Sequence, residues 1–157
     1  MTQIEGVTLA SRSDWTVLRP LLFESIGQTL EMVLVTMIVG GILGLVLGVV
    51  LYGTRPGNLF ENAVVYRILD VIVNIIRPIP FIIFLAAMQP LTIKVIGTSI
   101  GTAAAIFPMI IMCTMATSRL VEQNLVPVDS GVIEAARAMG ASKFTIVRTV
   151  LIPEALA

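Results

Sequence analysis

Histidine is absent from the 157-residue chain, and cysteine occurs once, at Cys113. The lack of imidazole removes the commonest general base and the commonest metal ligand. A single cysteine excludes a disulfide within the chain and a cysteine-based metal site. Charged residues make up only 13% of the sequence and the formal net charge is zero, so the chain lacks the basic field that binds nucleic acid.

The chain is rich in apolar residues. They account for 57% of the sequence, and the mean hydropathy is +0.99, which is typical of a membrane protein and not of a soluble domain. A hydrocarbon layer about 30 Å thick needs roughly 20 helical residues to cross. The pattern therefore predicts an all-α, polytopic helical bundle with spans at about residues 29–52, 71–90 and 95–116, after an extracytoplasmic or interfacial segment at residues 1–28.

The second predicted span contains three residues that are unusual in a membrane helix, Arg77, Pro78 and Pro80. Arg77 lies near the start of the stretch, where its long side chain can reach the headgroups. Alternatively, Arg77 has a buried partner, or the two prolines break the helix, since each removes a backbone donor. All three interpretations remain open at this stage.

The distribution of lysine and arginine predicts the orientation of the spans. Cytoplasmic segments carry an excess of these residues. An N-terminus outside the cell places six of them in the cytoplasm and three outside, with Arg77 not counted; the six are Arg55, Arg67, Arg119, Arg137, Lys143 and Arg148, and the three are Arg12, Arg19 and Lys94. The segment that follows the third span is then cytoplasmic.

Two glycine patterns predict how the spans pack. Gly40, Gly44 and Gly48 recur every four residues on one helical face, and Gly97 and Gly101 do so at the start of the third span. In lipid, close approach over small residues is a main source of helix association. Both sets are therefore predicted to be helix-packing sites.

The stretch from Gly97 to Gly101 also fits the G-x-S-x-G pattern of serine hydrolases, with Ser99 as the nucleophile. That motif needs a strand-to-helix turn and a base to accept the serine proton. With no histidine in the chain, an intramembrane hydrolase is strongly disfavoured. The chain also has no Gly-Lys dipeptide for a phosphate-binding loop, so any ATP is hydrolysed by another chain.

The cytoplasmic segment at about residues 127–153 predicts two short helices. The first, rich in alanine, ends at Gly140, a natural left-handed stop. The second begins at Ser142 and reaches Pro153, which marks its end or a kink. Because the first helix has little side-chain bulk of its own, we expect it to fit a cleft on another protein.

These residues resemble the EAA loop of ABC importer permeases. The match consists of Glu134, Ala135 and Ala136, then Gly140, then Val150 to Pro153, with conservative departures at Val150 and Ile152. Further segments are similar to permeases of methionine importers, and the resemblance covers the chain from about residue 25; these segments are Thr54–Gly57, Asn74–Phe81 and Val95–Gly101.

The resemblance implies a non-enzymatic transport subunit of the bacterial inner membrane that binds no cofactor itself. A second permease copy completes the path in a homodimer, cytoplasmic ATPase subunits carry ATP and Mg²⁺, and a substrate-binding lipoprotein docks outside. The residues implied for ATPase coupling are Glu134, Ala135, Ala136, Gly140 and Pro153. Such permeases have five spans, so the three predicted here are expected to be a C-terminally incomplete set.

Methionine is the substrate that the resemblance implies, and a permease for another amino acid or small solute is the main alternative. A small structural membrane protein is a weaker alternative, since it has no need of a coupling loop.

Overall fold

The computed structural model describes residues 15–128 and 130–153, and all regular structure in these ranges is helical. The helices are α1 (Trp15–Val35), α2 (Gly41–Thr54), α3 (Ala63–Ile76), α4 (Phe81–Ile96), α5 (Thr102–Leu125), α6 (Ser130–Ala138) and α7 (Lys143–Ile146). Two stretches are π-helical, Thr36–Gly40 before α2 and Val147–Leu151 after α7.

The chain divides into two compact units, residues 1–34 and residues 35–157. In the described part of the first unit, polar side chains bond along the helix: Gln28 Nε2 donates to Glu24 Oε1 at 3.3 Å and Thr29 Oγ1 donates to the Ser25 carbonyl at 2.7 Å. Both pairs are four residues apart, the spacing of neighbours on a helix surface. The segment boundary predicted at residue 28 falls inside α1.

Within residues 15–128 and 130–153, two helical stretches are long and apolar enough to cross a membrane, Leu18–Thr54 and Thr102–Leu125. A third crossing is available if α3 and α4 together count as one bent span. The prediction of an all-α membrane protein is confirmed, but the bounds predicted for the individual spans are not those of the structure.

The second predicted span, residues 71–90, is not one straight helix. α3 ends at Ile76, α4 begins at Phe81, and the two are bent by 114° at the break. Pro78 and Pro80 lie in the break, where their missing amides leave no helical hydrogen bond to lose. Pro80 instead directly precedes α4, and its carbonyl accepts from Phe84 N at 3.1 Å. The broken-helix interpretation of this stretch is therefore the correct one.

The third predicted span, residues 95–116, begins too early and ends too early. α4 continues to Ile96 and stops at Gly97, whose φ of +88° is left-handed, and α5 starts only after Gly101, at φ +103°. Glycine adopts the left-handed backbone conformation without steric cost because it has no Cβ atom, whereas the Cβ atom of other residues clashes there. Two glycines that we expected inside a helix thus form the turn that separates two helices.

The second unit is built around the packing of α2 against α5. α4 also packs against α5, and α3 contacts both α2 and α5. The bend formed by α6 and α7 lies at the end of this bundle where α2 ends and α5 ends, because apolar residues of all four elements share one buried cluster.

Candidate functional site

The segment predicted to be the coupling loop turns at Gly140. Gly140 N donates to the Arg137 carbonyl at 2.9 Å, and Ala141 N donates to the Ala136 carbonyl at 3.0 Å. This pair of bonds is a Schellman motif, which requires a left-handed residue at the turn, and Gly140 has φ +80°. The glycine stop predicted at residue 140 is therefore confirmed.

The second helix of the segment begins as predicted at Ser142. Ser142 Oγ accepts from Thr145 N at 3.2 Å, which satisfies one free amide of the helix start. α7 then passes into the π-helical stretch Val147–Leu151, and Pro153 is still helical and exposed. The helical run from Lys143 thus continues to Pro153, the last described residue, which does not interrupt it there.

The inner face of this bend is anchored to the membrane helices. Four of its side chains join a buried cluster with residues at the ends of α2 and α5; the bend contributes Ile133, Ala136, Ile146 and Leu151, and the helices contribute Val49, Tyr52, Val121 and Leu125. Burial of aliphatic side chains stabilises by about 1.5–3 kcal/mol each. The bend is therefore packed onto the ends of α2 and α5 and is not a free loop.

The outer face of the bend carries the predicted coupling residues in part. Glu134 and Ala135 are exposed, and so is Gly140. Ala136 is only 9% exposed and packs within the chain's own cluster, so its side chain supports the bend from the inner face. Met139, which was not predicted from the sequence as a contact residue, is 81% exposed beside Gly140.

An ion cluster around the buried Glu122, not predicted from the sequence, joins α3, α5 and the residue after α2. Arg119 Nη1 lies 2.5 Å from Glu122 Oε2 and 3.0 Å from Asp70 Oδ1, and Arg55 Nη1 lies 3.9 Å from Glu122 Oε1. The Tyr66 hydroxyl donates to Glu122 Oε1 at 3.5 Å. The Glu122 side chain is 3% exposed, so its charge depends on these partners for stabilisation.

From the sequence, Arg55 and Arg119 were counted only as positive charges, and their acidic partners Asp70 and Glu122 were not predicted. One pattern was available: Arg119 and Glu122 are three residues apart and thus neighbours on a helix surface. Asp70, an acid within an otherwise apolar stretch of α3, was a second indication, because an ionisable residue in such a helix usually has a partner. Which basic residue it meets depends on the fold.

The glycine face of the first predicted span lies against α5. A Cβ atom placed on Gly40 would be 2.8 Å from Cys113 Cβ, and one on Gly44 would be 2.5 Å from Thr117 Cβ. At Gly48 the added atom would be 2.6 Å from the Ser118 carbonyl oxygen. Because these distances are shorter than real Cβ contacts, the two helices reach this separation only over glycine.

Gly97 and Gly101 do not pack in this way. A Cβ atom on either would have no neighbour within 4 Å, and both lie in the turn between α4 and α5. The helix-packing role predicted for them is wrong, because their left-handed conformation breaks the helix instead. Ser99 lies in the same exposed turn and follows a helix, not a strand, so the geometry of a hydrolase nucleophile is missing there.

The turn borders a cavity of about 430 Å³ between α4 and α5. Its lining includes Gln89 and Thr92 from α4, Ser99 from the turn, and Ala104 and Pro108 from α5. Among the residues that the structure describes, no group of three or more acidic, cysteine or histidine side chains is placed to hold a metal. Three features are thus candidates for a functional role. They are the bend formed by α6 and α7, called the coupling bend below, the ion cluster and this cavity.

Comparison with known proteins gives consistent matches. Residues 40–157 match the sequence model of the family described as binding-protein-dependent transport system inner membrane component. The chain is 48% identical over 136 residues to the D-methionine transport system permease protein MetI of Escherichia coli (strain K12), covering 87% of this chain and 63% of that protein. It is 43% identical over 145 residues to the probable D-methionine transport system permease protein MetI of Vibrio cholerae, covering 92% and 64%.

A solved structure is similar as well. A chain of the MetNI methionine ABC transporter in an inward-facing conformation matches with a TM-score of 0.84 and 47% identity, covering 88% of this chain and 64% of that one. The present chain therefore spans less than two thirds of the length of these relatives.

Proposed function

The chain belongs to the family of binding-protein-dependent transport system inner membrane components, and on this basis we propose that it is the permease subunit of an ATP-driven methionine importer. The resemblance inferred from the EAA loop agrees with these matches. The relatives named above are methionine permeases. Membership in a family of transport components, together with the absence of histidine, supports a non-catalytic subunit whose energy comes from another chain.

The observation that carries the proposal is the two-sided geometry of the coupling bend. Its inner face is buried against α2 and α5 through Ile133 and Ile146, while Glu134, Ala135 and Met139 are exposed on the other side. A force applied to the outer face is thus transmitted directly to two membrane helices. This arrangement suits an element whose outer face binds an ATPase and whose inner face is fixed to the membrane helices.

The partners follow from the same proposal. ATPase subunits that hold ATP and Mg²⁺ bind the outer face of the bend, a second copy of the permease completes the translocation path, and a substrate-binding lipoprotein delivers methionine from outside. The bend is then cytoplasmic and the N-terminus is outside, as the excess of lysine and arginine in the segments on the bend's side of the membrane supports. Coupling contacts are assigned to Glu134, Ala135 and Met139, with Gly140 as the turn.

Uptake in cells tests the substrate. The complete reading frame that contains this chain is expressed with its ATPase and lipoprotein in a methionine-auxotrophic host without its own importer, and uptake of labelled D- and L-methionine is measured. We expect saturable uptake that competing unlabelled methionine abolishes and that an ATPase variant unable to hydrolyse ATP does not support. Uptake of another amino acid in place of methionine would refute the substrate, and loss of dependence on the ATPase would refute the class.

A further inference from the structure

An apolar groove of about 440 Å³ lies beside the last turns of α2. α2 forms one wall, and the helical run that begins at Lys143 forms the other. Thr54 is the lining residue with a polar side chain, and its hydroxyl already donates to the Val50 carbonyl at 2.8 Å. The groove therefore offers an occupant apolar contact and no unused side-chain donor. Its lining includes Val46, Val49 and Val50 on the first wall and Phe144, Val147 and Ile152 on the second.

The groove lies at the end of a membrane span. Thr54 ends a helical stretch that is long and apolar enough to cross a membrane, and this stretch carries no charge after Glu31. Arg55 is thus the first charge beyond a run that can fill the hydrocarbon layer. The end of α2 therefore marks the boundary with the headgroups, and the groove extends from Thr54 back to Leu45 on the hydrocarbon side.

A lysine side chain is held at this boundary. Phe60 N donates to the Gly53 carbonyl at 2.9 Å, so Phe60 lies beside the last turn of α2. Lys143 Nζ lies 5.4 Å from the centre of the Phe60 ring, within the range of a cation–π contact. Because Phe60 also lines the groove, the ammonium group lies at the rim of the groove and at the depth of the headgroups.

No acidic side chain within residues 15–128 and 130–153 neutralises the charge of Lys143. The ion pairs in these ranges are formed by Arg55 and Arg119, and Lys143 is exposed. An apolar protein segment in the groove would leave this charge without a partner. A molecule with an acyl chain and an anionic headgroup is complementary to both the groove and its rim.

We propose that the groove binds an acyl chain of an anionic phospholipid, whose phosphate is bound by Lys143. The lipid then lies between α2 and the coupling bend, which contains α7. Basic pockets between membrane helices bind anionic lipid headgroups, and hydrogen bonds from an ammonium group to phosphate are among the strong ones. The inference depends on the membrane span and on the position of the bend, and not on which solute is transported.

Photo-crosslinking tests the site in the purified complex of the complete permease with its ATPase. Phosphatidylglycerol with a diazirine in one acyl chain is titrated into the complex in detergent, and peptide mass spectrometry locates the adducts. Phosphatidylcholine with the same modified chain is the probe without net charge. We expect phosphatidylglycerol to give saturable adducts on the groove residues of both walls, and phosphatidylcholine to require a higher concentration.

Variants of Lys143 test the headgroup contact. Lys143→Gln should raise the half-saturating concentration of phosphatidylglycerol about fivefold, the contribution of one basic residue near an anionic lipid surface. It should affect phosphatidylcholine much less, whereas a general loss of structure would affect both lipids. Lys143→Arg keeps the charge and should restore tight binding. Arg67→Gln is the control, because Arg67 is an exposed cation of α3 that does not line the groove.

Filling the groove tests the acyl-chain contact separately. Val46→Trp places an indole in the groove, whereas Leu43→Trp places the same group at an exposed position of α2 outside it. We expect Val46→Trp to abolish the adducts on Phe144 and Val147, and Leu43→Trp to leave them unchanged.

Each other outcome overturns the inference. Equal half-saturating concentrations of the two lipids would show that the headgroup charge is not recognised. Equal effects of Lys143→Gln and Arg67→Gln would show a general attraction of anionic lipid to this side of the protein. Adducts elsewhere on the complex but none in the groove would show that protein covers it, either the ATPase or another helix of the permease.

Discussion

Arg119 on α5 and Asp70 on α3 are 49 residues apart in sequence, yet Arg119 Nη1 and Asp70 Oδ1 lie 3.0 Å apart. The same guanidinium binds Glu122 one turn further along α5. α3 is the first half of the bent pair that continues into the cavity wall α4, and α5 leads into the coupling bend. The pair therefore ties the helix that precedes the cavity wall to the helix that leads into the bend.

Removing the charge of Asp70 is expected to weaken this tie. In Asp70→Asn, Arg119 keeps Glu122 and an amide acceptor but loses the charge of its partner on α3, and a partly exposed ion pair of this kind contributes about 0.2–1 kcal/mol. We expect a lower thermal midpoint of the purified protein and less uptake per ATP hydrolysed. Glu61→Gln, which neutralises an exposed acid in the turn before α3, is the control.

A charge exchange separates the ion pair from a simple packing effect. Asp70→Arg combined with Arg119→Asp restores opposite charges across the same two helices, although Glu122 then faces a carboxylate. We expect the double variant to recover part of the stability that the single Asp70→Arg variant loses. If the double variant is no more stable than the sum of the two single changes predicts, the pair does not couple the helices.

A methyl group on Gly48 is expected to force α2 and α5 apart. The added Cβ would lie 2.6 Å from the Ser118 carbonyl oxygen, a backbone atom that cannot swing away. Overpacking of this kind costs about 1–3 kcal/mol. Gly41→Ala is the matched control, since a Cβ at Gly41 has no neighbour within 4 Å. Thermal unfolding in detergent should show a lower midpoint for Gly48→Ala alone, and equal midpoints would disprove tight glycine packing.

The contrast between the two glycine sets shows what residue spacing can and cannot predict about helix packing. Spacing of four residues describes both Gly40–Gly48 and Gly97–Gly101, but only the first set is helical. Gly97 and Gly101 follow an apolar stretch that contains Pro90, and nothing in their spacing distinguishes a packing glycine from a left-handed stop. That distinction depends on backbone dihedrals, which tertiary packing fixes.

The coupling bend was predictable for a different reason. Its turn and caps are local, since Gly140 and Ser142 each act on residues within five positions. The burial of Ala136 could not be predicted, because it depends on which helix face meets α2 and α5, a non-local property. The ion cluster was not predicted for the same reason, because Asp70 and Arg119 come together only when α3 packs against α5.

Gly140 is expected to tolerate asparagine but not valine. Its φ of +80° is left-handed, a conformation that costs other residues about 1–2 kcal/mol, with asparagine the best tolerated. Gly140→Val should therefore reorient α6 and reduce uptake per ATP hydrolysed, while membrane insertion is retained. Gly140→Asn should stay close to the unmodified protein. Uptake that is equal in both variants would contradict a role for the left-handed turn.

Bulk added at two adjacent alanines of α6 is expected to have opposite consequences. Ala135 is exposed on the outer face, where a larger side chain usually changes stability by less than about 0.5 kcal/mol. Ala135→Leu should therefore leave the thermal midpoint of the isolated permease unchanged and weaken its association with the ATPase, measured by co-purification and by substrate-coupled ATP hydrolysis.

Ala136→Leu should do the reverse at the level of the isolated chain. Ala136 is packed in the cluster with Ile133 and Ile146, so three added carbons overpack the core at a cost of about 1–3 kcal/mol and lower the thermal midpoint before any partner is present. Because the two changes are chemically identical and one residue apart, helix propensity cannot account for a difference between them. Equal loss of stability in both variants would show that the outer face of α6 is not free to receive a partner, and the coupling role assigned to Ala135 would have to be abandoned.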